Sequence, residues 1–310
     1  MIEKISQSIA KLLRVGRPQY LISGLTLFVL GALLGVRLGA PFSLPRLTLG
    51  YLVILLAQLS VHYSNDFFDV AFDRPGGATP LSGGSGVLLE HPELKKPVIW
   101  IAIALIGSSL VTGLIFLLNY RYPYWMFGFV LIGNLLGWVY SAPPYRLASR
   151  GLGEPAFTFI GGFLIPGMGY LVMKGKLDLA GAFILIPLLL YSLASILSVE
   201  IPDMDVDLLG DKRTWVVRKG RGFGFNLVGT CLFAATGYFF IFPSLSMEQI
   251  PLDLHILGIL SLLPLSVGMV GLIRKPLQRE PATRIAIWTV LSLTVFSLLA
   301  NGYLIFLVIH

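Results

Sequence analysis

Charge is scarce in this chain. Asp, Glu, Lys and Arg make up only 13% of its 310 residues and hydrophobic residues 55%, whereas soluble domains carry charge on about a quarter of theirs. With a mean hydropathy of +0.82, that shortage excludes a soluble globule with a charged coat and points to a polytopic membrane protein. Cysteine is nearly absent. The single Cys231, inside LVGTCLFAATGYFFIF, excludes a disulfide framework and reads as a small buried side chain, so redox chemistry is not indicated. The glycine-rich stretch PGGATPLSGGSGVLLE (75–90) lacks the Gly-Lys-Ser of a P-loop, so nucleotide binding is not supported. It reads as a connector, or as a lid donating backbone N–H groups to phosphate. The N-terminus lacks a short apolar core followed by a small-residue cleavage site, and no removable signal peptide is expected. Ile2, Ile5, Ile9, Leu12 and Leu13 instead share one helical face, with Lys4, Lys11 and Arg14 elsewhere. That pattern suits an amphipathic helix over 1–16 lying in the membrane interface.

What the chain has in quantity is apolar runs. A spanning helix needs about 20 mostly apolar residues, and nine stretches qualify: 20–38, 47–66, 97–118, 123–140, 155–173, 179–199, 224–243, 254–273 and 285–308. The predicted fold is all-α, a single membrane domain over 1–310, with polar motif loops at 67–96 and 200–223. With alternating spans, 18 of the 23 Lys and Arg fall on the side of the N-terminus, leaving Arg37, Arg46, Arg121, Lys174 and Lys176 opposite. The positive-inside rule then predicts a cytoplasmic N-terminus and an outer C-terminus. This asymmetry accounts for the net charge of +7 without invoking nucleic acid.

The acidic residues are few but clustered. HYSNDFFDVAFD (62–73) ends the second span with Asn65, Asp66, Asp69 and Asp73, and SVEIPDMDVDLLGDKRT (198–214) ends the sixth with Glu200, Asp203 and Asp207. At 100° per residue, each three-then-four spacing keeps its carboxylates within about 60° around a helix. Carboxylates at a hydrocarbon boundary are costly unless compensated. Two such faces on one side of the membrane suit hard divalent cations such as Mg²⁺, which takes oxygen ligands and shares its shell with substrate phosphates. Lys212 and Arg213 follow the second array, and Arg146 and Arg150 lie in VYSAPPYRLASRGLGE (139–154) after the fourth span. All four are candidates to grip diphosphate oxygens. Asp205 falls about 200° around the helix from Asp203 and from Asp207, and is expected to face away.

NDFFDVAFD resembles the N-D-x-x-D-x-x-x-D motif of the UbiA superfamily of intramembrane aromatic prenyltransferases. EIPDMDVD is similar to that family's second motif, D-x-x-D-x-x-x-D, with Glu200 standing where the pattern has Asp. YSAPPYRLASRGLGE resembles the connector between the family's fourth and fifth helices. The resemblance implies a bundle around a central cavity, Mg²⁺ bridging both acidic motifs, and a polyprenyl diphosphate whose tail runs towards lipid. It implies metal or diphosphate roles for Asn65, Asp66, Asp69, Asp73, Asp203 and Asp207, with Asp69, Asp203 and Asp207 the catalytic carboxylates. Arg146, Lys212 and Arg213 would contact diphosphate, and Tyr140 and Ser141 would line the reacting end. EIPDMDVDLLGDKRTWVVRKG looks most like the branch that prenylates 1,4-dihydroxy-2-naphthoate in menaquinone synthesis, and Arg17 is the candidate for an acidic acceptor's carboxylate. Runner-up acceptors are 4-hydroxybenzoate, a homogentisate-type phenol or a non-aromatic lipid. A cation-coupled transporter is the rival of a different class, although such sites usually lie near the bilayer midplane.

Overall fold

The computed structural model describes residues 2–70, 84–245 and 251–310; Asp73 and residues 75–83 of the glycine-rich stretch lie outside them. The described residues form helices α1 (Ile2–Val15), α2 (Leu21–Arg37), α3 (Leu44–Asp69), α4 (Val87–Glu90), α5 (Lys95–Tyr120) and α6 (Phe127–Ser141). Next come α7 (Gly153–Phe159), a π-helical turn at Ile160–Leu164 that joins it to α8 (Ile165–Lys174), α9 (Leu179–Leu209) and α10 (Trp215–Lys219). The chain ends with α11 (Arg221–Leu245), α12 (Leu254–Arg274) and α13 (Arg279–Ile309). Nine segments among these residues are long and apolar enough to cross a membrane, as the sequence predicts. Helices are the natural outcome, because a chain in hydrocarbon must satisfy its backbone hydrogen bonds internally.

The spans start and stop at recognisable signals. Ser43 Oγ accepts from Arg46 N–H at the head of α3, and Asp178 Oδ1 accepts from Gly181 N–H (3.0 Å) at the head of α9. Gly175, with φ of +74°, ends α8. Two spans continue beyond their apolar runs. α3 extends to Asp69, and α9 runs through residues 200–209, a stretch the sequence places in a loop. Pro202 does not break α9. The Arg221 and Arg279 side chains fasten the helix there to its neighbours by donating to the carbonyls of Ile201 (3.0 Å) and Pro202 (3.2 Å).

The closest packing is between α2 and α8. A methyl group on Gly31 would lie 1.8 Å from the Pro166 carbonyl oxygen, and one on Gly169 would lie 1.9 Å from that of Phe28. Backbones meet backbones here, as small residues permit between membrane helices. Polar side chains link other spans. Ser109 donates to the Val53 carbonyl (3.0 Å) and accepts from Asn134 Nδ2 (3.1 Å), joining α5, α3 and α6. Asn301 Nδ2 donates to the Thr26 carbonyl (3.0 Å), so the last span lies against the first. Helix α1 is tied down at its end by buried Val15 and by the Tyr63 hydroxyl, which donates to the Leu12 carbonyl (3.1 Å), while Ile9 and Leu13 face outward.

Replacing Gly31 or Gly169 with Leu is expected to force α2 from α8 at a cost of about 1–3 kcal/mol, read as a fall of several degrees in the melting temperature of the purified protein. Gly107→Leu, where no atom lies within 4 Å of the added carbon, is the control and should leave that temperature unchanged.

Candidate active site

The helix extensions of α3 and α9 bring the two acidic motifs together. Asp69 Oδ2, at the end of α3, lies 3.6 Å from Lys212 Nζ, and the same ammonium lies 3.9 Å from Asp207 Oδ1 on α9. The Ser141 hydroxyl, buried at the end of α6, donates to Asp69 Oδ2 (3.4 Å). Tyr140 is within electrostatic reach of Glu200, Glu154, Asp69 and Asp207, and Asp203 is within reach of Tyr20 and Glu200. Spans α3, α6 and α9 therefore each deliver polar side chains to one end of the bundle.

Lys212 owes its position to two loops zipped together. Its backbone N–H donates to the Asp207 carbonyl (2.9 Å), and that of Arg213 donates to the Ser149 carbonyl (2.9 Å). The Trp215 backbone N–H donates to Glu154 Oε1, and its indole N–H donates to the Gly151 carbonyl (3.0 Å). Arg218 adds a bond from its guanidinium to the Arg150 carbonyl (2.7 Å). Residues 149–154 and 210–218 thus form one clamp. The Arg213 side chain is 69% exposed and pairs with Asp211 at the surface. Arg150 is also exposed, and Arg146 is partly buried in a left-handed turn with φ of +45°.

Asp66 is engaged separately. It is 3% exposed and pairs with the Arg17 guanidinium, while Ser85 reaches it through its hydroxyl and through its backbone N–H at 3.1 and 3.2 Å. Arg17, with φ of +44°, sits at the joint between α1 and α2. Among the groups predicted as ligands, Asn65 Oδ1 and Glu200 Oε2 are buried oxygens that lack hydrogen-bond partners. The Glu200 carboxyl lies beside that of Glu154, both buried. Asp205 turns away and pairs with Arg221 (2.7 Å), as its helical position predicts.

A donor set made of oxygens, with buried oxygens left open, fits a hard divalent cation carried in with a phosphate. Among the described residues no three acidic or histidine side chains converge closely enough to hold a metal unaided, so substrate oxygens would have to complete the shell. Sequence reasoning overlooks Ser85, Glu154, Trp215 and Arg218. Glu154 and Ser85 stand inside quoted motifs, but their partners lie 61 and 19 residues away, and no local periodicity marks such pairs. Further along α3, roughly 12–18 Å from Asp69 at 1.5 Å per residue, a void of about 60 Å³ is lined by Ala57, Gln58 and Val61, with Ser109 and Asn134 from α5 and α6.

Comparisons with known proteins bear on the fold and the family. The chain is 22% identical over 167 residues to 1,4-dihydroxy-2-naphthoate octaprenyltransferase of Bacillus subtilis (strain 168), a match spanning 54% of this chain and about half, 52%, of that relative. Its fold matches a UbiA homologue from Archaeoglobus fulgidus bound to DMAPP and Mg²⁺ (TM-score 0.66, 15% identity, covering 94% of this chain and 99% of that one). It also matches a digeranylgeranylglyceryl phosphate synthase (TM-score 0.67, 15% identity, 96% and 99%) and a UbiA homologue from Aeropyrum pernix K1 (TM-score 0.66, 14% identity, 94% and 98%). The UbiA prenyltransferase family profile matches residues 25–290, and over that length, with both acidic motifs on facing helix ends, the chain belongs to the UbiA prenyltransferase family.

Proposed function

We propose that this intramembrane prenyltransferase moves an isoprenyl group from a polyprenyl diphosphate to the ring of 1,4-dihydroxy-2-naphthoate, with Mg²⁺, at the cytoplasmic end of an N-in, C-out bundle. The observation that carries the reading is the Lys212 ammonium set between Asp69 and Asp207, on different spans at one end of the bundle. The Bacillus subtilis relative supports the acceptor, and the bias of Lys and Arg towards this end supports the sidedness.

Asn65, Asp69, Glu200, Asp203 and Asp207 would hold the metal, with Asp66 kept in place by Arg17 and Ser85. When bound, Mg²⁺ supplies positive charge to a diphosphate that leaves as an anion. The protein's own part follows from its geometry. Lys212 stabilises charge gathering on the departing pyrophosphate as the allylic C–O bond breaks and its electron pair goes to oxygen. Ser141 and Tyr140 border the reacting carbon, and the surrounding spans exclude water that would otherwise trap the carbocation. An electron-rich ring carbon then forms the new C–C bond, and loss of a proton or of carboxylate from that carbon restores aromaticity. The void beside Ala57 and Val61 lies deeper along α3, and the prenyl tail would run in its direction.

Membranes containing the protein, given geranylgeranyl diphosphate, Mg²⁺ and a panel of acceptors, are expected to yield prenylated naphthoquinol identifiable by mass; EDTA should abolish product and added Mg²⁺ restore it. Product only from 4-hydroxybenzoate, a homogentisate-type phenol or a glycerol phosphate lipid would reassign the acceptor. Asp203→Asn and Asp207→Asn should each lower the rate on the order of a hundredfold, whereas Asp205→Asn, which keeps an acceptor for Arg221, should stay within a few-fold of the parent enzyme. A finer contrast separates neighbours in the clamp. Lys212→Gln is expected to raise KM for the prenyl diphosphate and lower kcat, each by about tenfold, while Arg213→Gln, at an exposed side chain, should change either by no more than about twofold.

A further inference from the structure

At the opposite end of the bundle a surface cavity of about 440 Å³ opens among the turns that join α2 to α3, α5 to α6 and α8 to α9. Arg46 and Asp69 lie at opposite ends of α3, and 23 residues at 1.5 Å each put the cavity roughly 35 Å from the acidic site. Its lining includes Arg46, Arg121, Lys174, Lys176, Tyr120 and Tyr122 and contains no Asp or Glu. Only five of the 23 basic residues fall on this side of the membrane, and four of them line this one cavity. An even scatter over the loop ends would not place them so.

The four are not equivalent. Lys174 is already used: its ammonium lies 2.9 Å from Asp178 and donates to the Leu38 carbonyl (2.8 Å), tying the end of α8 to that of α2. Arg46 is pre-positioned, with its guanidinium 5.4 Å from the Tyr120 ring centroid and 5.8 Å from that of Tyr122, whose hydroxyl is anchored to the Val172 carbonyl (2.8 Å). Arg121 and Lys176 are exposed, and neither forms an ion pair among the described residues. Among the described residues, three cations thus face a cavity without a protein counter-ion, and the ligand this calls for is an anion with several acceptor oxygens, as a phosphate is.

The surroundings identify its source. Exposed Tyr124 and Trp125 rim the cavity's side of the bundle, and exposed Phe42, Leu44 and Leu118 stand at the same ends of α3 and α5. Such an aromatic and apolar rim at helix ends marks the headgroup level of a bilayer. A phosphate located there comes attached to acyl chains. We propose that this cavity binds the headgroup of an anionic phospholipid, with Arg46, Arg121 and Lys176 taking its phosphate oxygens and the acyl chains lying along Leu44 and Leu118.

The purified full-length protein would be titrated in detergent with phosphatidylglycerol, phosphatidylcholine or inorganic phosphate, and bound ligand counted by native mass spectrometry. Arg121→Gln/Lys176→Gln is expected to weaken phosphatidylglycerol binding on the order of twentyfold, the effect of removing two cations from an anionic headgroup. Arg274→Gln/Lys275→Gln, an equal charge change at exposed positions on the far end, should leave it within about twofold. Equal losses in the two variants, no loss in the first, or phosphatidylcholine binding as tightly as phosphatidylglycerol would overturn the proposal. Displacement of the lipid by millimolar inorganic phosphate would also overturn it, by assigning the cavity to a soluble anion.

Discussion

Two carboxylates that approach one ammonium from different helices beside hydrocarbon also repel one another, because the medium between them screens poorly. In this protein the Lys212 ammonium, flanked by Asp69 and Asp207, offsets that repulsion. Its position depends in turn on the clamp between residues 149–154 and 210–218, where Glu154 and the Gly151 carbonyl grip Trp215. Electrostatics at the helix ends and hydrogen bonding in the loops are thus one system. The acidic faces can approach because the loop holds a cation there, and the loop is held by groups that never touch the acidic residues of α3.

The remaining polar side chains of the two motifs divide by how well they are satisfied. Asp66 has its lone pairs filled by Arg17 and Ser85, which makes it a joint linking α1, α2 and the head of α4 to the end of α3. Asn65 and Glu200 keep a buried oxygen open. A buried acceptor without a partner costs on the order of 1–3 kcal/mol, and folded chains tolerate that where a ligand makes up the deficit.

The nine spans were legible because length and apolarity alone define them, and helical periodicity groups Asp66 with Asp69 and Glu200 with Asp203 and Asp207 on helices that the structure extends to Asp69 and through Asp207. The outward turn of Asp205 onto Arg221 follows from the same arithmetic. Other features resist local reading. Arg17 and Asp66 are 49 residues apart, and a lone Arg before an apolar run reads equally as an inside-positive charge. The bonds that fasten α9 beside Pro202 come from Arg221 and Arg279, which arrive from α11 and α13. Glu154 looks like an ordinary residue of a short polar turn until Trp215 packs on it. What single-segment physics decides could be read in advance; what needs two distant segments could not.

The clamp also has a bearing on how the protein comes into being. A ribosome makes Asp69 143 residues before Lys212, so for much of synthesis the first acidic face exists without its counter-charge. A carboxylate stranded at the bilayer midplane over that interval would oppose insertion of the span that carries it. Because Asp69 sits on the last turn of α3, water can hydrate it while the next four spans are threaded, and its cation then arrives from the same side of the membrane. Placing the acidic residues at helix ends therefore serves assembly as much as chemistry: the site is completed by a late-arriving segment without any of its own charges having to cross the membrane.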